Sequence, residues 1–221
     1  MKMAKCVIFD LDGTVLDTIS TITYYVNKVF LEEGLEPILE EDCKYYAGNG
    51  AAKLIERSLA SRGITDEPTN RRILDIYMRY YEGAPLYLTK PFAGIEEMLA
   101  DLRCRGYKLA VVSNKPHAAT CTVVRHFFGD AFDEITGALD GVPVKPDPTL
   151  PSRVLDSLGI DKGESIFVGD TYVDIETGKN LGSKKVIGVL WGFRKREELE
   201  GAGANAVVTT ADELFCEITN A

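Results

Sequence analysis

Near the start of the chain, a short run of apolar residues gives way abruptly to acidic ones. The four apolar residues Cys6-Val7-Ile8-Phe9 are followed at once by Asp10, Asp12 and Gly13. Such a run, closed by a polar turn, is typical of a buried strand in a parallel sheet. Ligands of open α/β sheets bind at the carboxyl ends of these strands, so the acidic turn is a candidate site. The same residues also fit an ordinary strand with an Asp-Gly turn.

A long block with helical periodicity follows this strand. Apolar residues recur at three- and four-residue spacing after Thr18, which suits an N-cap, and Gly34 suits a helix end. The same periodicity predicts three more helices, over residues 40–47, 51–62 and 67–81. No strand-like run interrupts this block, so we expect an all-helical insertion after the first strand.

From Lys90 onward, strand and helix patterns alternate. The predicted strands are 107–112, 132–136, 165–169, 185–189 and 206–208. Helices are predicted before, between and after them, at 95–105, 116–128, 149–158, 171–181 and 211–218. This alternation is typical of a doubly wound, mostly parallel sheet of the Rossmann-like kind. We therefore predict an α/β fold with two parts: a catalytic core of residues 1–17 and 88–221, and an inserted helical cap of residues 18–87.

Composition narrows the range of partners. The 221 residues are 45% hydrophobic and 27% charged, as in soluble globular proteins, and no apolar run approaches the length of a membrane span. The formal net charge of −9 argues against binding to nucleic acid or to an anionic membrane. A small anionic substrate remains compatible, since a bound metal can supply local positive charge. We expect a monomer or homodimer.

The five cysteines are scattered and odd in number, with no Cys-x-x-Cys pair, which is typical of reduced thiols. His117 and His126 do not have zinc-site spacing. Lys2 and Lys5 lead straight into the first strand, so we expect no signal peptide and a cytoplasmic protein.

Three predicted strands end in polar residues that a parallel sheet brings to one edge. These residues are Asp10 with Asp12, Ser113 with Asn114, and Asp170, while Lys145 lies in a proline-braced loop after a fourth strand. Carboxylates at this density repel one another unless a cation lies among them, and Mg²⁺ prefers such oxygen ligands. Ser113, helix N–H groups and Lys145 are suited to the remaining oxygens of a phosphate.

This order of motifs resembles the haloacid dehalogenase superfamily of phosphotransferases. The matching pieces cover nearly the whole chain and are Asp10-Leu11-Asp12-Gly13-Thr14, Ser113-Asn114-Lys115, Lys145-Pro146 and Gly169-Asp170-Thr171-Tyr172-Val173-Asp174. The helical insertion is similar to that of the subclass with a cap after the first strand. Three further segments look like those of phosphoglycolate phosphatase-type members, namely Gly48-Asn49-Gly50, Trp191-Gly192-Phe193 and Arg196-Glu197-Glu198-Leu199.

The resemblance implies a role for each matching residue. Asp10 is the expected nucleophile, forming an aspartyl-phosphate, and Asp12 the expected general acid and base. The implied Mg²⁺ ligands are the Asp10 carboxylate, the Asp12 carbonyl and Asp170, with Asp174 bonded to the metal's shell.

The implied phosphate contacts are Thr14, Ser113 and Asn114, with Lys145 neutralising charge beside the nucleophile. In the insertion, Asn49 and Lys53 are candidate substrate contacts, because they follow a Gly-x-Gly turn that could face the site. For Lys115, a solvated surface position and a substrate contact are equally compatible with the sequence.

The favoured function is a magnesium-dependent phosphatase of a small phosphorylated metabolite, with phosphoglycolate as the preferred substrate. A sugar phosphomutase shares the nucleophile but needs a second, basic phosphate site, and one lysine alone, Lys53, lies near the Gly-x-Gly turn. A nucleotidase or pyrophosphatase of the same subclass stays open. Intact motifs disfavour a non-catalytic relative, and Asp12 disfavours a dehalogenase.

Overall fold

The structure is a computed structural model, and it describes residues 5–221. The first four residues of the predicted 1–17 segment, Lys2 among them, lie outside the described residues. The chain divides into two compact units. One unit contains the chain up to Asp17 together with Pro91–Ala221, and the other is Thr18–Lys90.

The first unit is built on a six-stranded sheet. Its strands are β1 (Cys6–Phe9), β4 (Lys108–Pro116), β5 (Glu134–Ala138), β6 (Ser165–Gly169), β7 (Lys185–Val189) and β8 (Ala206–Val208). They lie in the order β5-β4-β1-β6-β7-β8, and every neighbouring pair is parallel. The helices of this unit are α5 (Ile95–Cys104), α6 (His117–Phe128), α7 (Thr149–Leu158), α8 (Tyr172–Leu181), α9 (Arg196–Ala202) and α10 (Ala211–Thr219). The predicted α/β fold class is confirmed.

The central strands of this sheet are buried on both faces, which explains the apolar runs in β1, β4 and β6. In β1, Cys6 and Ile8 pack into a cluster with residues of α7 and α8, including Leu155 and Ile175. Val7 and Phe9, on the opposite face, are also fully buried. The central strands are therefore held rigidly from both sides.

Strand β1 lies where the chain changes direction across the sheet. From β1 the strands proceed to β4 and β5 on one side, and to β6, β7 and β8 on the other. Crevices that bind ligands form at the carboxyl ends of strands at such a switch point. The ends of β4, β1 and β6 thus lie side by side.

Three details of this unit differ from the predictions. Strand β5 spans Glu134–Ala138, two residues later than the predicted 132–136. Strand β4 continues through Ser113, Asn114 and Lys115, which we expected to follow the strand. Helix α9 was not predicted, because its seven residues bury one side chain, Leu199, and so carry little periodicity.

The second unit is helical and contains α1 (Ile19–Glu32), α2 (Glu40–Tyr46), α3 (Ala51–Ala60) and α4 (Glu67–Gly83). Asp66 caps α4 by accepting a hydrogen bond from the N–H of Thr69. Thr18 precedes α1 as predicted, but among the described residues its hydroxyl has no hydrogen-bond partner. A two-stranded sheet is formed by β2 (Leu16–Asp17) and β3 (Lys90–Pro91).

Across residues 5–221, no helix combines the length and the apolar character needed to span a membrane.

Candidate active site

Asp10 follows β1 directly and is paired with a buried lysine. The Nζ atom of Lys145 lies 2.6 Å from Oδ1 of Asp10 and 2.7 Å from Oδ1 of Asp174. The Lys145 side chain is only 1% exposed. A buried ammonium needs such partners, because burial without compensation strongly disfavours a charge. The structure thus brings together Asp10, Lys145 and Asp174, which the sequence placed in three separate motifs.

Burial and neighbouring charges together shift the pKa values of these groups. The pKa of Asp10 is raised to about 7 because desolvation, together with the charges of Asp174 and Asp12, outweighs the opposing effect of Lys145. Desolvation likewise raises the pKa of Asp170 well above its usual value, and the nearby Asp174 and Asp10 add to this. Burial opposes the charged form of Lys145, but Asp10 and Asp174 outweigh it and raise the lysine pKa. When all three are ionised, Asp10, Asp170 and Asp174 carry more negative charge than this lysine compensates.

Asp10, Asp170 and Asp174 form a cluster that could hold a metal ion, with one oxygen of each lying within 4.8 Å of the others. Asp170 is fixed by the Thr14 hydroxyl, which donates to Oδ1 at 2.9 Å, and by the Phe193 N–H, which donates to Oδ2 at 2.8 Å. Asp174 belongs to the capping box of α8, where its Oδ2 accepts from the N–H of Thr171 at 3.0 Å. These bonds orient the cluster before any ligand arrives.

Two glycines allow the backbone to approach Asp170 closely. A Cβ on Gly13 would lie 2.3 Å from Oδ2 of Asp170, and the φ of +88° at Gly13 also disfavours other residues. A Cβ on Gly192 would lie 2.4 Å from the same oxygen and 2.4 Å from the carbonyl oxygen of Gly13. Both glycines are therefore required by the shape of the acidic cluster.

Asp12 points to a different partner. Its Oδ1 lies 2.8 Å from Nζ of Lys115, and its side chain is outside the three-carboxylate cluster. Lys115 is buried, so the solvated-surface interpretation of this lysine is wrong. Asp12 and Asp10, two residues apart, thus have separate ammonium partners.

Asn114 holds the loop that carries Lys145. Its Oδ1 accepts a hydrogen bond from the backbone N–H of Lys145 at 2.9 Å, and its Nδ2 donates to the carbonyl oxygen of Lys145 at 3.1 Å. The neighbouring Ser113 Oγ accepts from the N–H of Lys115 at 3.2 Å. The predicted phosphate contacts of Thr14, Ser113 and Asn114 stay predictions, and the structure adds these internal bonds.

Asn49 and Lys53 belong to the helical unit. Asn49 lies in the bend before α3, and Lys53, within α3, is paired with Glu56 at 2.7 Å. Their predicted contact with substrate stays a prediction.

Three residues that touch the predicted ones were not among the predicted site residues, although a substrate contact was left open for Lys115. These are Lys115 beside Asp12, Phe193 beside Asp170, and Trp191, whose Nε1–H donates to the Thr14 carbonyl at 2.9 Å. Phe193 contributes a backbone N–H, so its side-chain type carries no signal of this contact. For Lys115, its place directly after Ser113 and Asn114, which were both predicted site residues, was a usable signal.

Comparison with known proteins places this site in a family. A family model described as haloacid dehalogenase-like hydrolase matches residues 7–189. A phosphoglycolate phosphatase of Aquifex aeolicus (strain VF5) is 32% identical over 192 residues, 86% of this chain and 87% of that protein. One from Cereibacter sphaeroides (strain ATCC 17025) is 37% identical over 179 residues, 80% of this chain and 81% of that protein.

Among solved structures, a proposed phosphoglycolate phosphatase from Lactobacillus delbrueckii subsp. bulgaricus is similar along its whole length. The TM-score is 0.95 and the identity 32%, with 100% of both chains covered.

Proposed function

Because the chain belongs to the haloacid dehalogenase-like hydrolases, we propose that it is a magnesium-dependent phosphatase that acts through an aspartyl-phosphate intermediate. The resemblance inferred from the ordered motifs is confirmed at the level of the family. The observation that carries the proposal is the placement of Asp10 directly after the central strand, 2.6 Å from Lys145 and in one cluster with Asp170 and Asp174.

The residues present fit a magnesium ion. Asp10, Asp170 and Asp174 offer hard oxygen ligands, which Mg²⁺ prefers. When ionised, they carry three negative charges against the single positive charge of Lys145, and a divalent cation balances the difference. We propose that Asp10, Asp170 and the Asp12 carbonyl hold the ion, with Asp174 bonded to its shell. When bound, the ion supplies charge neutralisation for a transferring phosphoryl group.

In the first step, a carboxylate oxygen of Asp10 attacks phosphorus and the bond from phosphorus to the ester oxygen breaks. Asp12 gives its proton to the departing oxygen, so that an alcohol leaves. Lys145 holds Asp10 in place and offsets its negative charge. Thr14, Ser113 and Asn114 are the proposed contacts of the phosphoryl oxygens. Phosphoryl transfer depends chiefly on such positioning and charge neutralisation.

In the second step, Asp12 takes a proton from water, whose oxygen attacks phosphorus. The bond between Asp10 and phosphorus then breaks, so that inorganic phosphate leaves and Asp10 returns to its carboxylate form. Asp12 therefore ends the cycle protonated, as it began, because it acts first as an acid and then as a base.

We propose 2-phosphoglycolate as the substrate, since the relatives named above are phosphoglycolate phosphatases. The helical unit Thr18–Lys90 is proposed to act as a cap that sets specificity, with Asn49 and Lys53 as its substrate contacts. All five cysteines are free thiols, which supports a reducing compartment such as the cytoplasm.

Phosphate release from a panel of small esters tests the proposal. The panel contains 2-phosphoglycolate, p-nitrophenyl phosphate, a sugar phosphate, a nucleotide and pyrophosphate, each with Mg²⁺ and with a chelator. We expect hydrolysis only with Mg²⁺, highest kcat/KM for 2-phosphoglycolate, and loss of turnover in Asp10→Asn with the fold retained by circular dichroism.

Three outcomes contradict parts of this proposal. Undiminished hydrolysis under chelation refutes the metal, and an active Asp10→Asn variant refutes the nucleophile. Conversion of a sugar phosphate into its isomer without free phosphate indicates a mutase instead.

A further inference from the structure

Lys115 is a buried lysine near the end of strand β4. Its side chain is 3% exposed, and its Nζ lies 2.8 Å from Oδ1 of Asp12. Lysine is almost never fully buried without a partner, because desolvating an ammonium is costly. The pairing with Asp12 is therefore a specific feature of this site.

A second lysine on the same strand shows the contrast. Lys108, at the start of β4, pairs with Asp133 at 2.7 Å, but its side chain is 53% exposed. Exposed pairs of this kind contribute little and form readily on any charged surface. Both lysines lie on β4 and pair with an aspartate. They differ in that Lys115 is buried and pairs with Asp12, whereas Lys108 is exposed and pairs with Asp133.

The backbone around Lys115 is also fixed. Its N–H donates to Oγ of Ser113 at 3.2 Å, and its carbonyl oxygen accepts from the Thr120 hydroxyl at 3.2 Å. Gly137 passes so close that an added Cβ would lie 2.5 Å from that carbonyl oxygen. The ammonium is thus presented from a rigid point of the sheet.

We propose that Lys115 is a positioning residue for Asp12: it holds Oδ1 and leaves Oδ2 as the oxygen that carries the proton. This inference rests on the proposed function, in which Asp12 protonates the leaving group. With one oxygen held by the ammonium, the orientation of the whole Asp12 carboxyl group is restricted. In the first step the Oδ2–H bond breaks, the proton forms a bond to the leaving oxygen, and Asp12 becomes a carboxylate facing the Lys115 ammonium.

Two esters of similar size distinguish positioning of Asp12 by Lys115 from a role of Lys115 in folding or in phosphate binding. Phenyl phosphate has a poor leaving group that needs a proton, whereas the leaving group of p-nitrophenyl phosphate is a stronger acid and departs without one. The measurement is kcat/KM for both esters with Mg²⁺, since kcat/KM reports the first phosphoryl transfer. In Lys115→Met we expect kcat/KM to fall on the order of 100-fold for phenyl phosphate, as for loss of general-acid catalysis, and by under about 10-fold for p-nitrophenyl phosphate.

The matched control is Lys108→Met, which makes the same change on the same strand and should leave both kcat/KM values unchanged. Lys115→Arg keeps a donor and the charge, and we expect it to recover part of the activity on phenyl phosphate. Circular dichroism and thermal unfolding report whether each variant is folded.

A double-mutant comparison applies even if Lys115→Met alone does not fold. The Asp12→Asn variant has no carboxylate for the ammonium to position. Adding Lys115→Met to this variant should therefore not lower kcat/KM for p-nitrophenyl phosphate further. A further loss there, an equal loss for the two esters, or a rise in KM alone overturns the positioning role and assigns Lys115 to structure or phosphate binding. If the wild type hydrolyses neither these two esters nor 2-phosphoglycolate, the proposed function fails instead.

Discussion

At the scale of single residues, neighbouring polar side chains of one strand serve different partners. Along the end of β4, Asn114 is bonded to the backbone of Lys145, while Lys115 is paired with the side chain of Asp12. The register of β4 against β5 shifts between Val112 and Pro116, so these contacts come from an irregular stretch of the strand. Asn114 therefore sets the position of Lys145, and through it the surroundings of Asp10.

Replacing Asn114 with alanine tests this role. Asn114→Ala leaves a buried N–H and a buried carbonyl of Lys145 without their partner, at a cost of about 1–3 kcal/mol in stability. It also loosens the Lys145 ammonium, so we expect kcat to fall by roughly 10²-fold, as for an ångström-scale misplacement. Urea unfolding and steady-state kinetics with p-nitrophenyl phosphate measure both effects.

Asn205→Ala is the matched control for this variant. The Asn205 Oδ1 also accepts from a backbone N–H, that of Val186 at 2.7 Å, but it lies between β7 and β8. We expect Asn205→Ala to reduce stability without changing kcat. If Asn114→Ala raises KM and leaves stability and kcat intact, Asn114 binds substrate and does not position Lys145.

The sequence predicted the acidic residues of the cluster better than their surroundings. Asp10 and Asp170 follow apolar strands, so sheet topology alone places them at one edge. The contacts of Lys115 and Asn114 depend on how far β4 continues, and no glycine or helix signal marks that point before Pro116. The backbone N–H of Phe193 could not be predicted, because any residue type supplies one.

At the scale of elements, a single aspartate joins the segment before β5 to the start of β4. Asp133 Oδ2 accepts from the N–H of Leu109 at 2.9 Å, while the Asp133 N–H donates to the Leu109 carbonyl at 2.8 Å. Lys108 lies 2.7 Å from Oδ1. Burial raises the pKa of Asp133, but the hydrogen bonds from Lys108 and Leu109 outweigh it and lower the pKa below its usual value.

This lowered pKa predicts how stability depends on pH. An aspartate with a lowered folded-state pKa stabilises the protein above its unfolded-state pKa of about 3.9, and the stabilisation disappears as pH falls through the folded-state value. We expect Asp133→Asn to lower the free energy of unfolding at pH 7 by up to about 1 kcal/mol, the upper end for a partly exposed ion pair.

Below the folded-state pKa, the difference between Asp133→Asn and wild type should shrink, because the wild-type carboxyl is then protonated too. Urea unfolding at pH 7 and at a series of lower pH values measures how this difference changes. The exposed Asp130, in the same segment, provides the control Asp130→Asn, which should match wild type at all of these pH values. A constant difference across pH would show that the Asp133 charge is not responsible.

At the scale of the whole molecule, alternating patterns predicted the α/β architecture and the helical insertion. The bounds of β6, β7 and β8 agree with the predicted ranges, because apolar runs between glycines and polar turns define them. Helix α9 lies over a strand end and buries one leucine, so local periodicity could not define it. Whether such a short helix forms depends on its packing against the assembled sheet, which local periodicity does not show.

The acidic cluster also links metal binding to the stability of the chain. Asp10, Asp170 and Asp174 are buried together, so their mutual repulsion opposes folding in the absence of a cation. A ligand that binds the folded state alone adds about 2.7 kcal/mol of stability at one hundred times its Kd. We therefore expect saturating Mg²⁺ to raise the Tm of the wild type by several degrees.

The variant Asp170→Asn should reduce the repulsion within the cluster and remove the stabilisation by Mg²⁺. Asparagine keeps an acceptor for the Phe193 N–H and a polar partner for the Thr14 hydroxyl, but it removes one buried carboxylate. Its Tm in a chelator should therefore be at least that of wild type, while its response to Mg²⁺ is lost. The exposed Asp156 in α7 provides the control Asp156→Asn, which should keep the full Mg²⁺ response. An undiminished Mg²⁺-dependent rise in Asp170→Asn would place the ion outside this cluster, whatever the activity of the enzyme.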